Sequence, residues 1–159
     1  MRVAAHGLAI DAPRGWEARV FRRPGAAPVL HVASFVLHRD DGDYGAAATG
    51  RMRGDDAFAA LVEFRIDDAV QPGVGLFEDS GGMPVLRAAD FAPSRLQVTR
   101  AGQLGCQRFF SSHGRPFCLY AVVRPARRRP ARLVRELRDV LATLEVQVQA
   151  PSAPGSSQR

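Results

Sequence analysis

Apolar and polar residues alternate along much of the chain, and this predicts a protein built mostly from strands. Between His6 and Ala12, Leu8 and Ile10 share one face; beyond Pro13-Arg14-Gly15, Trp16, Ala18 and Val20 alternate with Glu17 and Arg19. Two such runs about a Pro-Arg-Gly turn predict a β-hairpin, which Pro24 and Gly25 end. Pro28 to Leu37, rich in Val, Leu and Phe, predicts a central strand. Arg39 to Gly54, with Asp40-Asp41-Gly42-Asp43 and four glycines, predicts a loop. Asp55 to Phe64 fits two patterns. Phe58, Ala60, Val62 and Phe64 alternate as in a strand, whereas Phe58, Leu61 and Val62 behind an Asp55 cap suit a helix. The shortness of the run favours the strand. Asp67 to Pro93 predicts irregular chain.

Gly105 to Val123 predicts a second hairpin. A three-residue Ser112-His113-Gly114 loop, with Gly114 left-handed, pairs Phe110 with Pro116, Phe109 with Phe117, Arg108 with Cys118 and Cys106 with Tyr120. That register places Phe109, Phe117, Leu119, Ala121 and Val123 on a core face and Cys106, Arg108, Phe110, Cys118 and Tyr120 on the other. Pro130 suits a first helical turn. From there Leu133, Val134, Leu137, Val140, Leu141 and Leu144 form one stripe of an amphipathic helix. Glu145 to Gln149 predicts a short edge strand.

These elements predict an α+β fold: an antiparallel sheet of about six strands with a C-terminal amphipathic helix, about 130–143, packed on one face. One domain is expected over 1–149, followed by a disordered Pro/Ser/Gly-rich tail at 150–159. A chain of 159 residues suits a single domain that needs no covalent staple.

Charge changes the picture at one place. The chain contains 22 basic side chains, all arginine, against 16 acids, a net charge of +6. Arg124, Arg127, Arg128, Arg129, Arg132, Arg135 and Arg138 stand within fifteen residues that hold one acid, Glu136; elsewhere fifteen arginines balance fifteen acids. The net charge therefore resides in this strip, and attraction to an anionic partner acts there. Arg127, Arg128 and Arg129 also precede a helix start, where the macrodipole disfavours positive charge and a bound carboxylate or phosphate offsets it. Arg124, Arg127, Arg128, Arg129, Arg132 and Arg135 are the candidate binding residues. An acidic protein surface is the expected partner. Nucleic acid is the alternative, although no aromatic side chain is interleaved to stack on bases.

Other chemistry finds little support. Without lysine there is no Schiff base and no phosphate loop ending in Gly-Lys. No metal-ligand spacing, nucleophile elbow or dinucleotide-binding fingerprint occurs, so no catalytic, metal or cofactor residue is assigned. Asp40 to Asp43 beside His38 suits a solvated turn better than a cation loop. Cys106 and Cys118, diagonal in the register above, predict free thiols rather than a disulfide. An enzyme or small-ligand protein using a cavity near Trp16, Arg108 and Tyr120 is the remaining alternative. No run is long and apolar enough to span a membrane, and no secretory pattern opens the chain, which predicts a cytoplasmic protein.

A strand entering Pro13-Arg-Gly-Trp16, a Phe117-Cys-Leu-Tyr120 strand leading into one amphipathic helix, and a closing Leu144-Glu-Val146 strand resemble the PsbP-like α/β/α sandwich. That family includes photosystem extrinsic subunits, a Ran-binding nuclear factor and actinobacterial lipoproteins. The composition also resembles that of uncharacterised actinobacterial families. The likeness covers the first 35 and last 45 residues of the domain. It implies a non-catalytic binding or assembly module and carries over no site residues.

Overall fold

β7 (Arg115–Arg124) explains the architecture, because every residue of it but Arg124 is buried. A strand buried on both faces needs a layer on each. In the computed structural model, which describes residues 1–148, β7 lies inside a five-stranded antiparallel sheet of order β3-β4-β5-β7-β6. Its partners are β3 (Glu17–Phe21), β4 (Val29–Ala33), β5 (Asp56–Glu63) and β6 (Leu104–Ser112). β1 (Arg2–Ala5), β2 (Leu8–Asp11) and β8 (Glu145–Val146) form a second antiparallel sheet, β1-β2-β8. The class is α+β as predicted, but eight strands divide between two sheets instead of about six in one.

One face of the large sheet, with Ala57, Ala59, Leu61, Phe117, Leu119 and Ala121, meets α2 (Pro130–Leu141) and the Leu8, Ile10 and Ala12 side of the small sheet. Leu133, Val134, Leu137, Val140 and Leu141 of α2 are buried there, the stripe that the helical period marked out. The other face carries Phe58, Ala60, Val62, Tyr120 and Val122. It is covered by Leu37, Met52 and Ala48, the last in α1 (Ala46–Gly50). That short helix lies where a loop was expected. Its free N–H groups at Ala47 and Ala48 are both accepted by the Asp41 carboxylate at 2.9 Å, a cap that no adjacent residue supplies.

Both expected hairpins change. β2 pairs with β1 through His6-Gly7, while Pro13–Gly15 carries the chain from the small sheet to the large one. The second hairpin has a two-residue His113-Gly114 turn, so Phe110 faces Phe117, Phe109 faces Cys118, Arg108 faces Leu119 and Cys106 faces Ala121. This is one residue away from the expected register, and it exchanges the faces of β6. The cause is shared by both turns. His6 and His113 take positive φ (50° and 52°) ahead of Gly7 and Gly114 (74° and 72°). Two left-handed residues make a turn whose twist matches the strands it joins, and histidine enters that region more readily than most residues.

Arg115, directly after the second turn, ties it to the first. It is 2% exposed, and its five N–H groups make five hydrogen bonds. Nε and Nη2 donate to the Glu63 carboxylate at 2.7 and 2.8 Å, Nη2 to the His6 carbonyl, and Nη1 to the carbonyls of Gly7 and Gln147. One buried guanidinium thus joins the small sheet to the ends of β5 and β7. The helix is expected to reach residue 143 but ends at Leu141, and the closing strand is limited to Glu145–Val146. The tail expected at 150–159 lies outside the described residues.

Candidate functional site

The arginine strip begins where β7 leaves the sheet. Arg124, its first member, is turned inward: half-buried, it donates to the Met52 carbonyl and lies beside Gly102. Arg127, Arg128, Arg129, Arg132 and Arg135 are exposed. The loop that presents them is built around Asp55. This residue is held at a φ of 68° just before β5. Its carboxylate accepts the backbone N–H groups of Ala126 (3.0 Å), Arg127 (3.3 Å) and Arg128 (2.9 Å). These donors, that of Arg128 above all, hold the Asp55 carboxyl below the usual carboxylate range. The carboxylate that the charge pattern called for at the helix start is therefore the chain's own, and the concavity formed by three successive N–H groups is filled. The external face of the loop is left to side chains.

Along α2 the strip divides again. Glu136 receives Arg128 Nη1 at 3.1 and 3.0 Å, and Arg132 stands 3.5 Å from it one turn away. Among the described residues Arg127, Arg129 and Arg135 form no ion pair. Arg129 is the residue before the helix and makes no side-chain cap, and Pro130 opens the first turn. Among the described residues the strip thus presents three exposed, unpaired guanidinium groups, Arg127 on the loop braced by Asp55, Arg129 before the helix and Arg135 on α2, beside Arg128 and Arg132, which share one acid, while Arg138 is half-buried and also unpaired.

A second basic cluster escapes any reading by segment. Arg19, Arg22, Arg23 and Arg39 line a cleft of about 750 Å³ around Phe21, on the side of the large sheet away from α2. The Arg19 and Arg23 guanidinium groups lie 5.8 and 5.0 Å from the centre of the Phe21 ring. Arg23 also pairs with Asp43 and donates to the Asp41 carbonyl. The acids expected to form a solvated turn are thus in use, Asp41 capping α1 and Asp43 binding Arg23. Beneath them His31 is buried between Phe21 and Phe58 with Nε2 2.7 Å from the Asp43 carbonyl. Burial lowers its pKa to about 4, with Arg19 and Arg23 reinforcing the shift and Asp41 opposing it. Among the described residues no three His, Cys, Asp or Glu side chains gather as a metal site.

Trp16, Arg108 and Tyr120 are not brought together. Tyr120 lies on the α1 face, where its Oη accepts the Gln97 N–H at 3.0 Å and its ring meets Tyr44 edge-on. Arg108 pairs with Asp90 at 2.8 Å on the outer strand β6. The shifted register also separates the cysteines onto opposite faces. Cys106 lies on the α2 face and Cys118 beneath Tyr44, both as buried free thiols. Burial raises both, Cys118 to about 12, so neither is held as a reactive thiolate. Trp16 does line a cleft, about 500 Å³ in volume, with Pro13, Asp11, Glu136, Asp139 and Val140 among its walls. The indole is half-buried against the α2 core. Of the cavity expected near Trp16, Arg108 and Tyr120 only Trp16 is a wall; the others come from the β2–β3 connection and from a helix some 120 residues later, which no local pattern announces.

Comparison with known protein families, with curated proteins and with solved structures finds no match to this chain.

Proposed function

We propose that this protein is a non-catalytic binding module, an accessory or assembly factor, that docks an acidic protein surface through its arginine strip. The observation that carries the proposal is the trio Arg127, Arg129 and Arg135, exposed and, among the described residues, without an acid partner, on the loop that Asp55 braces and the helix that follows it. A surface of one sign steers an oppositely charged partner, and guanidinium groups bind carboxylates through paired N–H donors. The occupied nest at Ala126 to Arg128 favours side-chain recognition of carboxylates over backbone capture of a phosphate. The absence of aromatic residues from the strip weighs against base stacking. A non-catalytic binding or assembly role is also what the likeness of its opening and closing segments to PsbP-like proteins implies.

The test is an anisotropy titration of fluorescent polyglutamate, and separately of duplex DNA, at two ionic strengths. Polyglutamate is expected to bind at low salt and to lose affinity as salt rises, with the salt slope reduced when Arg127, Arg129 and Arg135 are changed together to Gln. Equal binding by that variant overturns the proposal. Tight, strip-dependent binding of DNA without polyglutamate replaces it with the nucleic-acid reading.

A further inference from the structure

β6 is an outer strand of the large sheet, with β7 on one side of it only. Its other edge is covered at both ends. Gly105 exchanges two hydrogen bonds with Ala92, at 3.0 and 3.1 Å, and the Ser111 N–H donates to the Glu78 carbonyl at 2.9 Å. Alternate residues of a strand present their backbone groups to the same edge, so Gln107 and Phe109 point the way that Gly105 and Ser111 do. Among the described residues the N–H groups of both and the Phe109 carbonyl find no partner there, and the Gln107 carbonyl has only a long 3.4 Å bond from Arg108 Nη1. Gln107, Arg108 and Phe109 are half-buried, not enclosed. An edge with free donors and acceptors is a template for another strand. Gly105 and Ser111 are about 20 Å apart along an extended strand, and with both ends taken the gap holds an extended segment of about four residues. A second copy of β6 does not fit, because its nine residues would run into the chain at Ala92 and at Glu78. The side chains beside the gap differ between the two faces. On the α1 side the Phe109 ring stands by Phe64 and Phe77, with centroids 6.2 and 5.9 Å away. On the α2 side Arg108 pairs with Asp90 at 2.8 Å, and Arg95 donates to the Asp90 carbonyl at 3.2 Å. Two guanidinium groups thus gather about one carboxylate, and Arg95 is exposed with no acid partner among the described residues.

We infer that the open middle of β6 receives an extended segment of a partner protein as a further strand, with an apolar side chain against Phe109 and an acidic one beside Arg108 and Arg95. Main-chain hydrogen bonds supply the attachment and the two side chains the selectivity. Adjacent residues of a strand face opposite sides of a sheet, so one apolar–acidic pair meets both demands. The inference does not draw on the arginine strip.

Amide resonances of the full-length protein provide the readout. Before any ligand is added, the amide hydrogens of Gln107 and Phe109 are expected to exchange about tenfold faster than those of Gly105 and Ser111, whose edge is covered. The probe is the peptide acetyl-Val-Glu-Val-Glu-amide. It is expected to shift the Gln107 and Phe109 resonances saturably, in the parent chain and in the triple variant of Arg127, Arg129 and Arg135 to Gln alike, which separates this site from the strip. N-methylation of the peptide backbone removes its donors and is expected to weaken binding about tenfold, as is replacement of both Glu by Lys. Gln107→Pro removes an N–H that β7 does not use, and is expected to cost about tenfold in affinity with the unfolding transition kept. Slow exchange at Gln107 and Phe109, shifts confined to other residues, or equal binding of the N-methylated peptide, of the lysine peptide or by a folded Gln107→Pro variant would each overturn the inference.

Discussion

At Arg115 the guanidinium is enclosed by protein, and all five of its N–H groups are taken, two by the Glu63 carboxylate and three by backbone carbonyls. At Arg127, Arg129 and Arg135 the same group is exposed and, among the described residues, pairs with no acid. The first arginine joins two sheets and presents nothing to a partner. The others leave the packing unaffected and present everything. In a chain whose every basic side chain is arginine, the count of charges thus says little about use. What separates the two regions is whether the surrounding backbone supplies acceptors. The His6-Gly7 turn and Gln147 aim carbonyls at Arg115 and the end of β5 a buried carboxylate, while Asp55 takes up the backbone donors beneath the strip and leaves its side chains outward.

Breaking the buried region has the largest expected effect. Glu63→Ala leaves Arg115 charged and enclosed, and is expected to destabilise the fold by about 3–5 kcal/mol in denaturant unfolding. The paired replacement Glu63→Leu with Arg115→Met is expected to recover most of that loss. If the single variant unfolds like the parent chain, the Arg115 junction is not what joins the sheets.

A buried group held neutral down to about pH 4 sharpens the contrast. His31 has a pKa of about 4 in the fold and an ordinary one, about 6.5, once unfolded. Between those values the unfolded chain binds the extra proton, so this contribution is fully present above about pH 6.5 and declines as the pH falls toward about 4. The expected loss across that window is about 3 kcal/mol, read from unfolding at a series of pH values. His31→Gln is expected to flatten this part of the curve. A variant with the parent's slope would assign the pH dependence to another group.

The smallest effect belongs to the exposed region. Changing Arg127, Arg129 and Arg135 together to Gln is expected to move stability by no more than about 0.5 kcal/mol, and in the stabilising direction, since positive charge at a helix start opposes the macrodipole. Thermal unfolding of the triple variant checks this. A large loss would show that the strip serves the fold after all.

The elements themselves were largely legible. The apolar stripe of α2, the strand at Asp56–Glu63 and the long hairpin through β6 and β7 each follow from short-range periodicity. The failures share a cause. The one-residue slip at His113-Gly114 depended on a histidine entering the left-handed region, which periodicity does not register. The hairpin assigned about Pro13–Gly15 failed because alternation says that a run is a strand and leaves its partner unstated. Helix α1 was hidden because its cap, Asp41, sits upstream across a turn rather than next to the helix. Of the six candidate arginines, exposure separates five from Arg124, which the end of β7 directs inward toward Met52.

Period, turn residues and charge spacing are local properties, so the amino-acid sequence alone determined the α+β class, the amphipathic helix and the cationic strip. The pairing of Arg115 with Glu63 across 52 residues, the division of strands into two sheets, the basic cleft about Phe21 and the walls of the cleft at Trp16 were decided only by the tertiary structure. Each of these depends on groups far apart in the chain meeting where backbone acceptors, aromatic faces and charges complete one another, and no local pattern encodes which distant group will arrive.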